Sequence, residues 1–431
     1  MSTSWIERLF KLEEHGTNVR TELIAGLTTF LTMAYIIFVN PAILGDAGMP
    51  KDAVFVATCL IAALGTAVMA FYANYPIALA PGMGLNAYFA YAVVLHMGFT
   101  WQAALGAVFI SGCLFLFVTL TGIRGLIIAG IPQSLRYAIT VGIGLFLALI
   151  ALKSAGIVVG SKATLVTLGD LHQPSVILAV LGFLLMVALD KLRVRGAILI
   201  GIVAVTIASF FFAGNEFRGI FSAPPSIEPT FLKLDIMTAL TKGLLVFFLV
   251  ELFDATGTLM GVARRAGLLV PGRMDRLNKS LFADSAAIFA GSLLGTSSTT
   301  AYVESASGVQ AGGRTGLTAL TVSVLFLAAL FIAPLAGAVP AYATAPALFF
   351  VGCLMMRDLT ELEWEDSTEV IPAAVTALMM PFTYSIANGL AFGFITYAAI
   401  KLLTGRVREV HWMVWLIAAV FLFKFFYIPG G

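Results

Sequence analysis

Charge is what this sequence has least of. Lys, Arg, Asp and Glu make up 11% of its 431 residues, against 60% hydrophobic residues, where an ordinary soluble domain carries about 25% charge. That shortage, with a mean hydropathy of +0.99, leaves too little polar surface for a soluble chain and points to an all-α polytopic membrane protein. Cysteine is scarce too: Cys59, Cys113 and Cys353 are an odd number, all in apolar segments. They argue against a disulfide framework or metal cluster and read as small buried residues. His15, His96, His172 and His411 all fall at the ends of apolar runs or between them, so no histidine proton relay is expected in the apolar interior. There is no basic tract to suggest nucleic acid, no glycine-rich phosphate loop, and no motif that calls for a cofactor.

What is present is a succession of apolar runs from Leu23 almost to the C-terminus. Each helical crossing needs about 20 such residues. The runs give fourteen expected spans, some of them short: 23–44, 53–72, 77–95, 101–121, 134–152, 175–189, 196–213, 239–262, 281–294, 299–310, 317–335, 340–356, 370–384 and 387–403. A further run, 411–428, contains Lys424, and hydropathy alone leaves its placement open. Residues 1–22 lack the apolar centre of a signal peptide and read as an interfacial helix on the cytoplasmic side. Arg124, Arg136, Lys191, Arg193, Arg195, Arg264, Arg265, Arg273, Arg276, Lys279, Arg314, Arg406 and Arg408 fall in loops assigned to one side, which places both termini in the cytoplasm. The acidic stretch 357–369 is expected to be a solvated connector on the same side.

Two spans do not read as continuous helices. Pro and Gly interrupt "APGMGLNAYFAY" (80–91), and a Ser/Thr cluster interrupts "GTSSTTAYVESASG" (295–308). Paired interruptions at matching places in two halves are the sequence pointer to an inverted-repeat transporter with its site at the breaks. Setting Gly26 against Gly243 gives an offset of 217, and Asn86 against Glu304 gives 218. A 7+7 inverted repeat with broken third and tenth spans follows.

The acids then need an explanation. A charge at mid-bilayer costs about 2.5–3.5 kcal/mol on insertion scales, so Glu251, Asp254 and Glu304 must face protein, water or a ligand. Glu251 and Asp254 share one helix face, Glu304 follows the break at Thr299 and Thr300, and Asn86 follows the earlier break. With Phe253, Tyr88 and Tyr302 nearby, these residues suit a planar, neutral heterocycle bearing several N–H groups. Buried carboxylates near one another also make proton coupling chemically available. The plainer reading, an acid that merely ties two helices together, remains for Asp254 and for Asp284 in the ninth span.

The stretches "TFLTMAYIIFVNP" (29–41), "APGMGLNAYFAY" (80–91), "VELFDATGTLMG" (250–261) and "TTAYVESASGVQAGGRTGLTA" (299–319) resemble the AzgA-like purine permeases, the adenine, guanine and hypoxanthine branch of the nucleobase cation symporters. The resemblance covers nearly the whole chain. It implies a core domain (23–121 and 239–335) that holds the substrate and a gate domain (122–213 and 340–403), leaving 404–431 as a C-terminal hydrophobic segment. It implies substrate contacts from Glu251, Glu304 and Asn86, and it ties Asp254 and Asp284 to function or proton coupling; the residues themselves add Phe253 and Thr300 to the expected substrate contacts and Glu251 and Glu304 to the expected proton-coupling groups. It further implies a homodimer in a cell membrane, with the bacterial inner membrane as the expected location. Glu304-Ser305 stands where the xanthine and uric acid branch has Gln-Asn, which disfavours oxidised purines and uracil. The alternatives are an anion transporter of the same architecture, a passive channel, and an intramembrane enzyme holding Mg²⁺ and a diphosphate, for which Glu251 and Asp254 supply no paired Asp-rich repeat.

Overall fold

The computed structural model describes residues 5–122, 130–214, 219–241, 247–252, 259, 262, 269–270, 273–274 and 276–427. Among them, seven helices are long and apolar enough to cross a membrane, and Ala197–Phe212, Ser367–Phe382 and Trp412–Phe423 are shorter apolar helices. Every expected span except the eighth falls on a described element. Of the eighth, residues 239–241, 247–252, 259 and 262 are helical, and Phe253 and Asp254 lie outside the described residues. The run at 411–428 is the helix Trp412–Tyr427. It lies along Ile386–Leu403, with the rings of Phe392 and Phe425 5.5 Å apart.

Helix starts follow local capping chemistry. Asn18 accepts from Thr21 N to open Val19–Met33, and Thr100, Asp366 and Ser385 cap Trp101–Leu120, Ser367–Phe382 and Ile386–Leu403 in the same way. The first span differs from expectation. It is two helices, Val19–Met33 and Ile36–Asp46, and hydrogen bonding tightens to the third preceding residue at Ile37 and Phe38 (3.1 and 3.0 Å). No Pro or Gly stands at Ala34 and Tyr35 to announce this turn, and a mid-helix tightening of this kind is a common mark of a functional site.

The helices pack in two groups. One holds Val19–Met33, Ile36–Asp46, Lys51–Ala73, Trp101–Leu120, Leu277–Leu294 and Gly316–Ala329, and the other holds Gln133–Ser154, Pro174–Lys191, Ala197–Phe212, Ala341–Met355, Ser367–Phe382 and Ile386–Leu403. The groups touch where Met83–Ala87 meets Gln133–Ser154, where Ile36–Asp46 meets Ala341–Met355 and where Val19–Met33 meets Ala197–Phe212. In the first group, Glu22 is fully buried and accepts from the backbone N–H of Arg314 (2.8 Å), Thr315 (3.3 Å) and Thr318 (3.1 Å). Read in the sequence as part of the interfacial segment, Glu22 instead lies inside a helix and ties it to the start of Gly316–Ala329.

Two further expectations change. Cys59 is buried, but Cys113 and Cys353 are exposed, because each lies on the outward face of an apolar helix. The stretch 357–369 is not wholly solvated. Lys401, only 1% exposed, pairs with Glu369 at 2.7 Å, and Tyr397 donates to the same carboxylate at 3.0 Å. Asp366 pairs with Arg406 at 2.8 Å. The Arg406 guanidinium and the Thr368 hydroxyl and N–H hold the Asp366 carboxyl well below the usual carboxylate range.

Candidate substrate site

The two interrupted spans meet each other. Leu79–Pro81 and Thr299–Ala301 form an antiparallel strand pair in which Leu79 faces Ala301, Ala80 faces Thr300 and Pro81 faces Thr299. Backbone bonds from Gly82 N to Ser298 O and from Tyr302 N to Ala78 O, both 2.9 Å, extend the pairing at each end. An unwound backbone at membrane depth must find partners inside the protein, and each break supplies them to the other. The β-branched Thr299 and Thr300 favour the extended form, and Pro81, which has no N–H, ends the earlier strand.

Each strand then turns into a short helix, Met83–Ala87 or Ser305–Gln310. The strands begin 220 residues apart, at Leu79 and Thr299, and the helix caps stand 222 apart, at Gly82 and Glu304. The offset of 218 that paired Asn86 with Glu304 is therefore corrected. Three residues, Tyr302 to Glu304, join strand to helix in the second break where Gly82 alone does so in the first, so Gly82 is the positional counterpart of Glu304.

Asn86 is completely buried, and Ser297 Oγ donates to its Oδ1. Among the described residues its Nδ2 has no partner, and the same holds for Thr300 Oγ1, 5% exposed, and Thr299 Oγ1. A buried donor left unpaired costs about 1–3 kcal/mol, which is the signature of a place where a ligand or water completes the bonding. Glu304, half-buried at the helix cap, accepts from Tyr35 Oη at 2.5 Å. The Tyr35 and Tyr302 rings lie 6.4 Å apart, and Tyr302 Oη donates to Pro81 O at 2.7 Å. Behind the crossing, Asn40 Nδ2 donates to Thr58 Oγ1 (2.8 Å) and Thr296 Oγ1 (2.9 Å), fixing the second break to the first two spans.

Glu251 is fully buried and accepts from Ser111 Oγ. One turn earlier, Phe247 packs on Tyr88 with ring centroids 5.2 Å apart, which brings the helix of Glu251 against the segment that carries Asn86. Asp284 is fully buried within Leu277–Leu294, a helix that packs on Trp101–Leu120 through Phe109 and Phe289 (5.2 Å). Glu304, Asn86 and Thr300 thus gather at the crossing, and Glu251 lies on the helix packed beside it. Tyr35, Ser111 and Ser297 are the residues of this arrangement that sequence reasoning missed. Their one available signal was position, since Tyr35 lies within the stretch 29–41 and Ser297 within the Ser/Thr cluster of 295–308.

The model of a permease family matches residues 20–392. The chain belongs to this permease family. Among its relatives are the adenine permease AdeP of Escherichia coli K12, 49% identical over 99% of this chain and 97% of its own, and the guanine/hypoxanthine permease PbuO of Bacillus subtilis 168, 46% identical over 97% and 100%. These place the permease in the adenine, guanine and hypoxanthine branch that its motifs resemble. The fold is also that of the transmembrane domain of a cyanobacterial bicarbonate transporter, BicA, with a TM-score of 0.64, 18% identity, and coverage of 87% of this chain and 97% of the other. The permease is a multi-pass membrane transporter, not an enzyme.

Proposed function

We propose that this permease imports purine bases, adenine, guanine or hypoxanthine, together with protons. The observation that carries the reading is the buried, unpartnered Asn86 amide at the crossing that also presents the Glu304 carboxylate. An amide donor and carboxylate acceptors match the mixed donor and acceptor edges of a purine. The relatives that transport adenine or guanine and hypoxanthine support the same class. The bicarbonate transporter's fold does not carry its substrate here, because Glu304 at the cap of Ser305–Gln310 would repel an anion.

In this reading Glu251, Glu304, Asn86, Phe253 and Thr300 hold the base, and Glu251, Asp254, Asp284 and Glu304 are the groups available to carry the proton. The core segments 23–121 and 239–335 move against the gate segments 122–213 and 340–403, exposing the site to each side in turn. The permease acts in a bacterial inner membrane as a homodimer with cytoplasmic termini.

The test is uptake of radiolabelled hypoxanthine into cells lacking their own purine permeases, competed with adenine, guanine, xanthine and uracil, with and without an uncoupler. Uncoupler-sensitive uptake blocked by adenine or guanine, and not by xanthine or uracil, is the expected result. Uptake of no base would bring back the anion reading.

A further inference from the structure

Tyr35 has a place in the fold that the purine reading does not yet use. It stands where the first span is interrupted, is 1% exposed, and touches the crossing of both broken spans through Glu304 and Tyr302. Among the described residues, Glu304 Oε1 is the partner of its hydroxyl. A phenol has one proton to donate and lone pairs to accept with. With the proton committed to Glu304, a molecule entering the site meets this oxygen as an acceptor, and the bond to the carboxylate strengthens it in that role.

We infer that Tyr35 is a specificity-determining contact of the base: its oxygen accepts from an N–H adjacent to the one that Glu304 accepts. This rests on the purine reading above. Glu304 and Tyr35 then form a pair of neighbouring acceptors, and they select bases with two neighbouring donors. In guanine, the 2-amino group beside the N1–H is such a pair, and hypoxanthine lacks that amino group. The 6-amino group beside N7–H in one tautomer of adenine is another, and unsubstituted purine lacks it.

The experiment compares wild type and Tyr35→Phe for competition by each matched pair, guanine against hypoxanthine and adenine against purine, with membrane-inserted protein quantified in parallel. One neutral hydrogen bond is worth roughly a twofold to tenfold preference. We expect Tyr35→Phe to lose a preference of that size, through a raised KM for the amino-bearing base, while KM for its partner and the maximal rate hold. A purely structural role would weaken both members of each pair alike, and that result overturns the proposal, as does a wild type indifferent to the amino group. If Tyr35→Phe fails to insert, 3-fluorotyrosine at position 35 keeps the shape and weakens the oxygen as an acceptor, and an unchanged ratio there is equally fatal. Absence of base uptake by the wild type overturns the purine reading and this inference together.

Discussion

At the scale of single residues, carboxylates do two different jobs in this protein. Glu251 and Glu304 accept from side-chain hydroxyls beside the crossing, whereas Glu22 gathers the backbone N–H groups of Arg314, Thr315 and Thr318 together with the Thr318 hydroxyl. Glu251→Gln and Glu304→Gln should each lower purine uptake by roughly 10- to 150-fold, the worth of a hydrogen bond to a charged group, with the amount of inserted protein unchanged. Near-normal uptake in both would remove them from the site. Glu22→Ala should act on stability instead. The buried N–H groups of Thr315 and Thr318 lose their acceptor, at about 1–3 kcal/mol each before relaxation, as does the part-buried N–H of Arg314, and the melting temperature in detergent should fall by several degrees. The acids were legible in the sequence because charge in an apolar run has no inexpensive explanation. Tyr35, Ser111 and Ser297 were not, because a hydroxyl barely disturbs hydropathy and its partner lies far off in the chain, 269 residues away for Tyr35.

At the scale of elements, the helix Ser305–Gln310 is seated against Val19–Met33 by the absence of a side chain. A Cβ on Gly308 would stand 2.7 Å from the carbonyl oxygen of Ala25 and would also meet the Thr29 hydroxyl. Gly308→Val should therefore tilt the helix that Glu304 caps and cost more than tenfold in uptake. Unchanged uptake kinetics would show that this contact does not position the site. At the other end of the molecule, Asp366 caps Ser367–Phe382 while paired with Arg406. Its carboxyl is held below the ordinary value, so its contribution to stability is complete above about pH 4 and is lost only in stronger acid. Asp366→Asn should lower the melting temperature by the same amount at pH 5, 6, 7 and 8, and a deficit that shrinks across that window would contradict the pairing. Both breaks were readable from Pro, Gly and the Ser/Thr cluster, since these residues oppose helix for local reasons. Their mutual alignment was misread because the linker Tyr302 to Glu304 is longer than its counterpart, and the turn at Ala34 and Tyr35 has no helix-breaking residue to reveal it.

At the scale of the whole molecule, proton coupling predicts accumulation rather than mere equilibration. One proton moving through about 100 mV supplies about 2.3 kcal/mol, enough for roughly 40-fold concentration of a neutral base, and an uncoupler should bring the ratio of internal to external base down to one. A ratio of one in energised cells would mean passive passage. The membrane class was legible from the shortage of charge, and the order of spans from the repeated apolar runs. The packing of those spans into two groups depends on contacts between residues hundreds apart, such as Ser323 Oγ on Ala63 O at 2.7 Å, which no local pattern encodes. The strand pair also bears on how the chain is made. Leu79 to Pro81 leave the ribosome about 220 residues before the strand that will pair with them, an interval of about 10–40 s at common rates of synthesis. Throughout that time the third span holds unwound backbone without its partner, so the first half cannot complete its own fold. Two fragments divided between the halves should each be degraded when made alone and should restore a working transporter when made together.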